Sequence, residues 1–191
     1  MNDLSVIEAE FGAFSQWQQA PPFWISKPEL AMPMIEELRE ATVRTIGRSA
    51  GDREIIAIEY GEKEPLETTT DCLSSALASH LVPPDPTDIF PEAFYGTERR
   101  KKPVLAIQGA IHGGELTGTV AALNLCRITE TGEDLRGKAW PELQEMAREM
   151  RIVIIPWLNI DGVTRYPLVT NSHVPTELSQ RAQQGVALDG T

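Results

Sequence analysis

The 191-residue sequence predicts an α/β fold, a mixed, largely parallel sheet flanked by helices. Three observations predict it. The continuous apolar runs PVLAIQ and IVIIP read as buried strands. Between them lie two stretches of helical period, so strand, helix, helix and strand follow one another in the order of a parallel crossover. Ahead of them, TVRTIG and REIIAIEYG are β-rich runs around the turn RSAGD and read as a hairpin.

Taken in order, residues 1–32 gather Phe11, Phe14, Trp17, Phe23 and Trp24 around Pro21 and Pro22, which predicts a packed N-terminal arm. From Pro33, PMIEELREA places Met34, Ile35, Leu38 and Ala41 on one helical face and opens the main domain, residues 33–191. After the hairpin, residues 62–101 form a Pro-rich excursion in which only CLSSALASHL has helical character. His80, between apolar neighbours in that segment, reads as a helical or surface histidine rather than a ligand. After PVLAIQ and the loop GAIHGG, a helix is expected from Glu115, with Leu116, Val120, Leu123 and Ile128 on one face. WPELQEMAREM is a second amphipathic helix through Trp140, Leu143, Met146, Ala147 and Met150.

Composition narrows the functional classes. A formal charge of −11 and a pI near 4.7 repel phosphate backbones and anionic lipid surfaces, which excludes nucleic acid and membrane as expected partners. The basic cluster Arg99 to Lys102 reads as a solvated loop edge. No run approaches the ~20 apolar residues of a membrane span, and the first residues lack the order of a signal peptide, so a cytoplasmic protein is expected. Cys72 and Cys126 are too few and too far apart for a disulfide scaffold or a CxxC site and read as ordinary thiols.

The stretch that carries chemistry is IQGAIHGGELTG. It sets His112 and Glu115 three residues apart where a buried strand gives way to a helix, the place where α/β proteins form their sites. Zinc takes imidazole nitrogen and carboxylate oxygen, and a catalytic site needs about three protein ligands plus an open position for water. His112 and Glu115 can supply two. Glycines 109, 113 and 114 let the backbone turn sharply and leave the space above a metal clear.

Three segments in this order resemble the zinc carboxypeptidase family. TIGRSAGDREIIAIEYG is similar to its opening hairpin, VLAIQGAIHGGELTG to its first metal-ligand segment, and IVIIPWLNIDGVTRY to its strand ending in Pro-x-x-Asn-x-Asp-Gly. The resemblance implies a zinc-dependent hydrolase of peptide bonds near the C-terminus of peptides, with Zn2+ held by His112 and Glu115. It implies that Asn159, Asp161 and Gly162 form a tight turn that shapes the cleft, and these residue types favour a turn on their own account.

The sequence also departs from the family. The Asn-Arg pair by which the family grips a substrate's terminal carboxylate is missing: either Asp189 and Gly190 of GVALDGT replace it, or GVALDGT is the loop just before it. Arg181 is the candidate for the family's transition-state arginine. No residue matches the third ligand or the general base, and His173, in a polar loop, is not assigned to either. The expectation is that the chain is the N-terminal portion of a longer enzyme. Two other readings stand beside the peptidase. A deacylase of N-acyl amino acids of the desuccinylase and aspartoacylase group uses a similar His-Gly-x-Glu loop followed by Leu-Thr-Gly; a non-catalytic binding module would keep the fold alone.

Overall fold

The computed structural model describes residues 20–64, 102–166 and 169. The chain divides into two compact units, Met1–Gly61 with Val104–Thr191 and Glu62–Pro103, and every element named below belongs to the first. In chain order these are α1 (Pro28–Glu36), β1 (Thr42–Arg48), β2 (Glu54–Tyr60), β3 (Val104–Gln108), α2 (Thr117–Thr131), α3 (Pro141–Arg148), β4 (Arg151–Ile155) and α4 (Ile160–Arg165). The helix expected within CLSSALASHL, and His80 with it, lies outside the described residues.

The four strands form one mixed sheet in the order β1-β2-β4-β3. β1 and β2 make the expected antiparallel hairpin, with a register shift between Thr45 and Gly47, and β2 also pairs antiparallel with β4. β3 and β4 run parallel, from Val104 opposite Arg151 to Gln108 opposite Ile155. This parallel pair matters most for function. It brings two strand C-termini side by side, so the loops leaving them, 109–116 and 156–159, emerge together.

The core lies on one face of the sheet. Ile58 and Tyr60 of β2 stand beside Ile154 and Ile152 of β4, and all four are buried against residues of α1, α2 and α3. Fully burying a residue such as Ile152 contributes about 2 kcal/mol. On the opposite face Glu59 sits between Arg44 and Arg151, at 2.6 and 2.7 Å. β3 departs from its reading as a buried strand. It edges the described sheet, so with a period of two Leu105 and Ile107 pack on the core while Val104, Ala106 and Gln108 are exposed.

Helix boundaries also shift. α1 begins at Pro28, not Pro33, and Pro33 falls inside it. Pro28 fits the first helical position, where its missing N–H costs no bond, and Ala31 and Ile35 then share the buried face. α2 begins at Thr117, leaving Glu115 in the loop. Gly132 ends α2 in the left-handed conformation, its N–H donating to the Ile128 carbonyl. In α3 only Ala147 is buried; Met146 and Trp140, expected on the apolar face, are exposed, and the Trp140 indole donates to Asp134 at 3.2 Å. A two-turn helix has one buried stripe, and here α2 occupies it.

Candidate metal site

The β3–α2 loop is fixed by its backbone and leaves its side chains free. Gly109 N–H donates to the Ile155 carbonyl at 2.8 Å, while the N–H groups of Leu158 and Asn159 donate back to the carbonyls of Gly109 and Ala110 at 2.9 and 3.1 Å. The Thr119 hydroxyl, buried on α2, donates to the Pro156 carbonyl at 2.7 Å. These bonds hold Ala110 in the left-handed region, at φ 47°, a strain of order 1 kcal/mol for a residue with a Cβ. Beyond this turn Ile111, His112 and Glu115 are all exposed.

Two glycines set how closely the loop lies on α4. A Cβ at Gly113 would collide with the Gly162 backbone, and one at Gly114 would stand 3.2 Å from the Tyr166 ring. The sequence assigns these glycines to clearing space for a metal; in the fold they allow the close approach of α4 and Tyr166.

His112 and Glu115 come together. Their side chains are 50% and 54% exposed, and His112 Nδ1 lies 3.1 Å from Glu115 Oε2. The turn between them closes through Glu115 N–H donating to the His112 carbonyl at 3.0 Å. Two ligands each ~2.1 Å from one tetrahedral zinc stand roughly 3.4 Å apart. The observed separation is within a few tenths of an ångström of that, and the donors are of the type zinc takes, so the pair fits two positions of a zinc site. Among the described residues no third His, Cys, Asp or Glu joins them. His173, Arg181, Asp189 and Gly190 lie outside the described residues.

The neighbouring connection has the opposite character. Asn159 is the N-cap of α4, its Oδ1 accepting from Gly162 N–H at 2.9 Å, so the expected turn is a helix start. Asp161 is buried and spans to the hairpin turn. It accepts from the Ser49 hydroxyl at 2.8 Å, Gly51 N–H at 2.9 Å and Arg53 Nη1 at 2.7 Å. Burial pushes the Asp161 carboxyl upward, but these three donors and the Arg53 charge outweigh it and hold it below the usual carboxylate range.

The far end of α4 is closed by residues that the sequence did not single out. Lys27 is buried, and its Nζ donates to the carbonyls of Val163 and Tyr166 at 2.6 and 2.5 Å, under the Tyr166 ring at 5.3 Å. Burial lowers the Lys27 ammonium to about 8, and Glu29 partly opposes this. The described part of the arm around it makes long-range hydrogen bonds. The Trp24 indole and Ser26 hydroxyl both donate to the Val169 carbonyl, and the Trp157 indole donates to Ser26 O. Tyr166 is 1% exposed, and its hydroxyl has no hydrogen-bond partner among the described residues. An unpaired buried hydroxyl costs about 1 to 3 kcal/mol. Its pKa is raised to about 12 by burial, so it is a neutral phenol.

Comparison with known proteins identifies the family. The sequence profile of the zinc carboxypeptidase family matches residues 35–185. Among solved structures, the chain is similar to a putative carboxypeptidase from Burkholderia mallei at 17% identity and a TM-score of 0.43, covering 72% of this chain and 26% of that one. It is also similar to a metallo-carboxypeptidase from Burkholderia cenocepacia, at 17% identity and TM-score 0.46, covering 75% and 29%. A third is thrombin activatable fibrinolysis inhibitor, at 12% identity and TM-score 0.44, covering 80% and 31%. The chain thus spans less than a third of the length of these solved chains. No curated protein is significantly similar to it in sequence. With its profile match running from α1 past the His112 and Glu115 loop to beyond α4, this chain belongs to the zinc carboxypeptidase family.

Proposed function

We propose that the protein is a zinc metallocarboxypeptidase that hydrolyses peptide bonds near the C-terminus of peptides, with His112 and Glu115 as two of its metal ligands. The observation that carries this reading is the pair itself: an imidazole nitrogen and a carboxylate oxygen 3.1 Å apart, exposed, on a loop fixed at the carboxyl ends of two parallel strands. When bound, zinc supplies a Lewis acid for the scissile carbonyl and lowers the pKa of its water toward ~7. The chain's own groups bind and orient. His112 and Glu115 would hold two positions of the metal, and the backbone bonds to Ile155, Gly109 and Ala110 anchor the start of the loop that carries them. Ile111, exposed beside His112, offers an apolar contact to a bound peptide. Arg181 remains the candidate for holding the developing oxyanion.

The net charge of −11 supports a substrate other than nucleic acid. No described helix is long and apolar enough to cross a membrane. The buried free thiol of Cys126 fits the reducing setting of a cytoplasmic protein. A second reading, deacylation of N-acyl amino acids, draws on the HGGELTG loop itself.

Zinc content by elemental mass spectrometry, for the chain and for His112→Ala, tests the site. Zinc held by the chain and lost in the variant would support the site, although two ligands without a third hold zinc only weakly. Hydrolysis of C-terminal amino-acid substrates, with and without chelator and beside a panel of N-acyl amino acids, tests the reaction. Peptide hydrolysis indifferent to chelator would refute the metal mechanism, and hydrolysis of the acyl panel alone would favour the deacylase.

A further inference from the structure

Tyr166 presents two facts that no role in the core explains. Its hydroxyl is fully buried and, among the described residues, unpaired, although a tyrosine at such a depth ordinarily finds a partner. Its ring edge, on the side that carries the hydroxyl, packs on the metal loop: a Cβ on Gly114 would meet Cε2 at 3.2 Å and Cζ at 3.4 Å. The loop has matching unspent capacity. Gly113 and Gly114 are buried, and no backbone hydrogen bond joins either to another described residue.

The adjacent ligand pair explains when this capacity would be used. His112 Nδ1 and Glu115 Oε2 now face each other at 3.1 Å. A metal taken between them replaces that contact and widens the spacing by a few tenths of an ångström. The loop segment between the two ligands is Gly113–Gly114, which lies against Tyr166 and Gly162.

We propose that Tyr166 is a positioning residue for the metal loop, its hydroxyl reserved for a hydrogen bond to the Gly113–Gly114 backbone that forms when His112 and Glu115 release each other to hold a metal. The inference rests on the reading of His112 and Glu115 as ligands. Lys27 fixes the partner end of the device. By holding the carbonyls of Val163 and Tyr166 it keeps the phenol from following the loop, so the hydroxyl is a fixed point on which the loop closes.

Zinc titration of the full chain, followed through the His112 ring resonances by NMR and assigned with His112→Ala, tests this against Tyr166→Phe, which keeps the ring and removes only the hydroxyl. One hydrogen bond present only in the metal-bound state predicts zinc affinity weaker by about fivefold to tenfold in Tyr166→Phe. The metal-free unfolding midpoint should be unchanged or higher, because the variant loses an unpaired buried group. Equal affinity in the two proteins overturns the proposal. So does weaker affinity accompanied by a lower metal-free midpoint, which would assign the hydroxyl to the fold alone. A wild-type chain whose His112 signal ignores zinc overturns the metal-site reading and this inference with it, whereas equal zinc affinities overturn only this inference.

Discussion

Two connections leave neighbouring parallel strands at the same edge of the sheet, and they are opposite in character. In the β3–α2 loop the start of the backbone is committed and the chemistry-bearing side chains are half-exposed, with His112 and Glu115 facing each other. In the β4–α4 connection the side chains are committed. Asn159 caps a helix, and Asp161, 6% exposed, spends its lone pairs on Ser49, Gly51 and Arg53. A carboxylate with three donors is frame, and one with a single exposed neighbour is available to a ligand. Residue type alone does not separate the two cases.

Breaking the frame should have the largest effect. Asp161→Ala leaves Arg53 without its partner and frees the hairpin turn from α4, and a loss of about 3 kcal/mol is expected in chemical denaturation. The sign with pH follows from the lowered carboxyl. The Asp161 contribution is present above its unfolded pKa and is lost as pH falls through the folded value, so wild type and variant should converge in acid. A constant difference down to strongly acidic pH would show that the carboxylate charge is not what holds the turn.

Pressing the two connections apart should come next. Gly113→Ala forces a methyl into the Gly162 backbone, and about 2 kcal/mol of destabilisation together with weakened zinc binding is expected. Unchanged zinc affinity in a destabilised protein would separate loop position from ligand geometry.

Lys27 tests the far end of the same frame. Its folded pKa, about 8, lies below its unfolded value, so between pH 8 and 10.5 the unfolded chain binds more protons and stability should rise with pH. The slope reaches at most about 1.4 kcal/mol per pH unit. Cys126, raised to about 12 by burial, pulls the other way above pH 9, so the useful quantity is wild type minus Lys27→Met. That difference should climb through the window; a flat difference would mean the ammonium keeps its charge without cost.

The smallest stability effect should come from the site itself. Glu115→Gln and His112→Ala should shift metal-free stability by no more than about 0.5 kcal/mol, because both side chains are exposed. A large loss in either would make the pair part of the frame and end the contrast between the two connections.

Much of this was legible in the sequence. The hairpin around RSAGD, the strands PVLAIQ and IVIIP, and the location of His112 and Glu115 between strand and helix follow from local signals: turn residues, apolar period and spacing. The first helix was misplaced because Pro28 and Pro33 can both open a helix, and only the packing of Ala31 and Ile35 on the sheet selects the earlier start. Asp161 read as a generic turn residue because its three partners are more than a hundred positions away in the chain.

By itself, then, the sequence determined the hairpin, the two strands PVLAIQ and IVIIP and the helices between them, and it singled out His112 and Glu115 as candidate ligands, since each signal is encoded within a few consecutive residues. Only the tertiary structure decided that β3 stands at an edge, that Gly113 and Gly114 exist to meet Gly162 and Tyr166, and that Lys27 closes the end of α4. The reason is physical: these are contacts between segments distant in sequence, and neither partner carries a local pattern that announces the other.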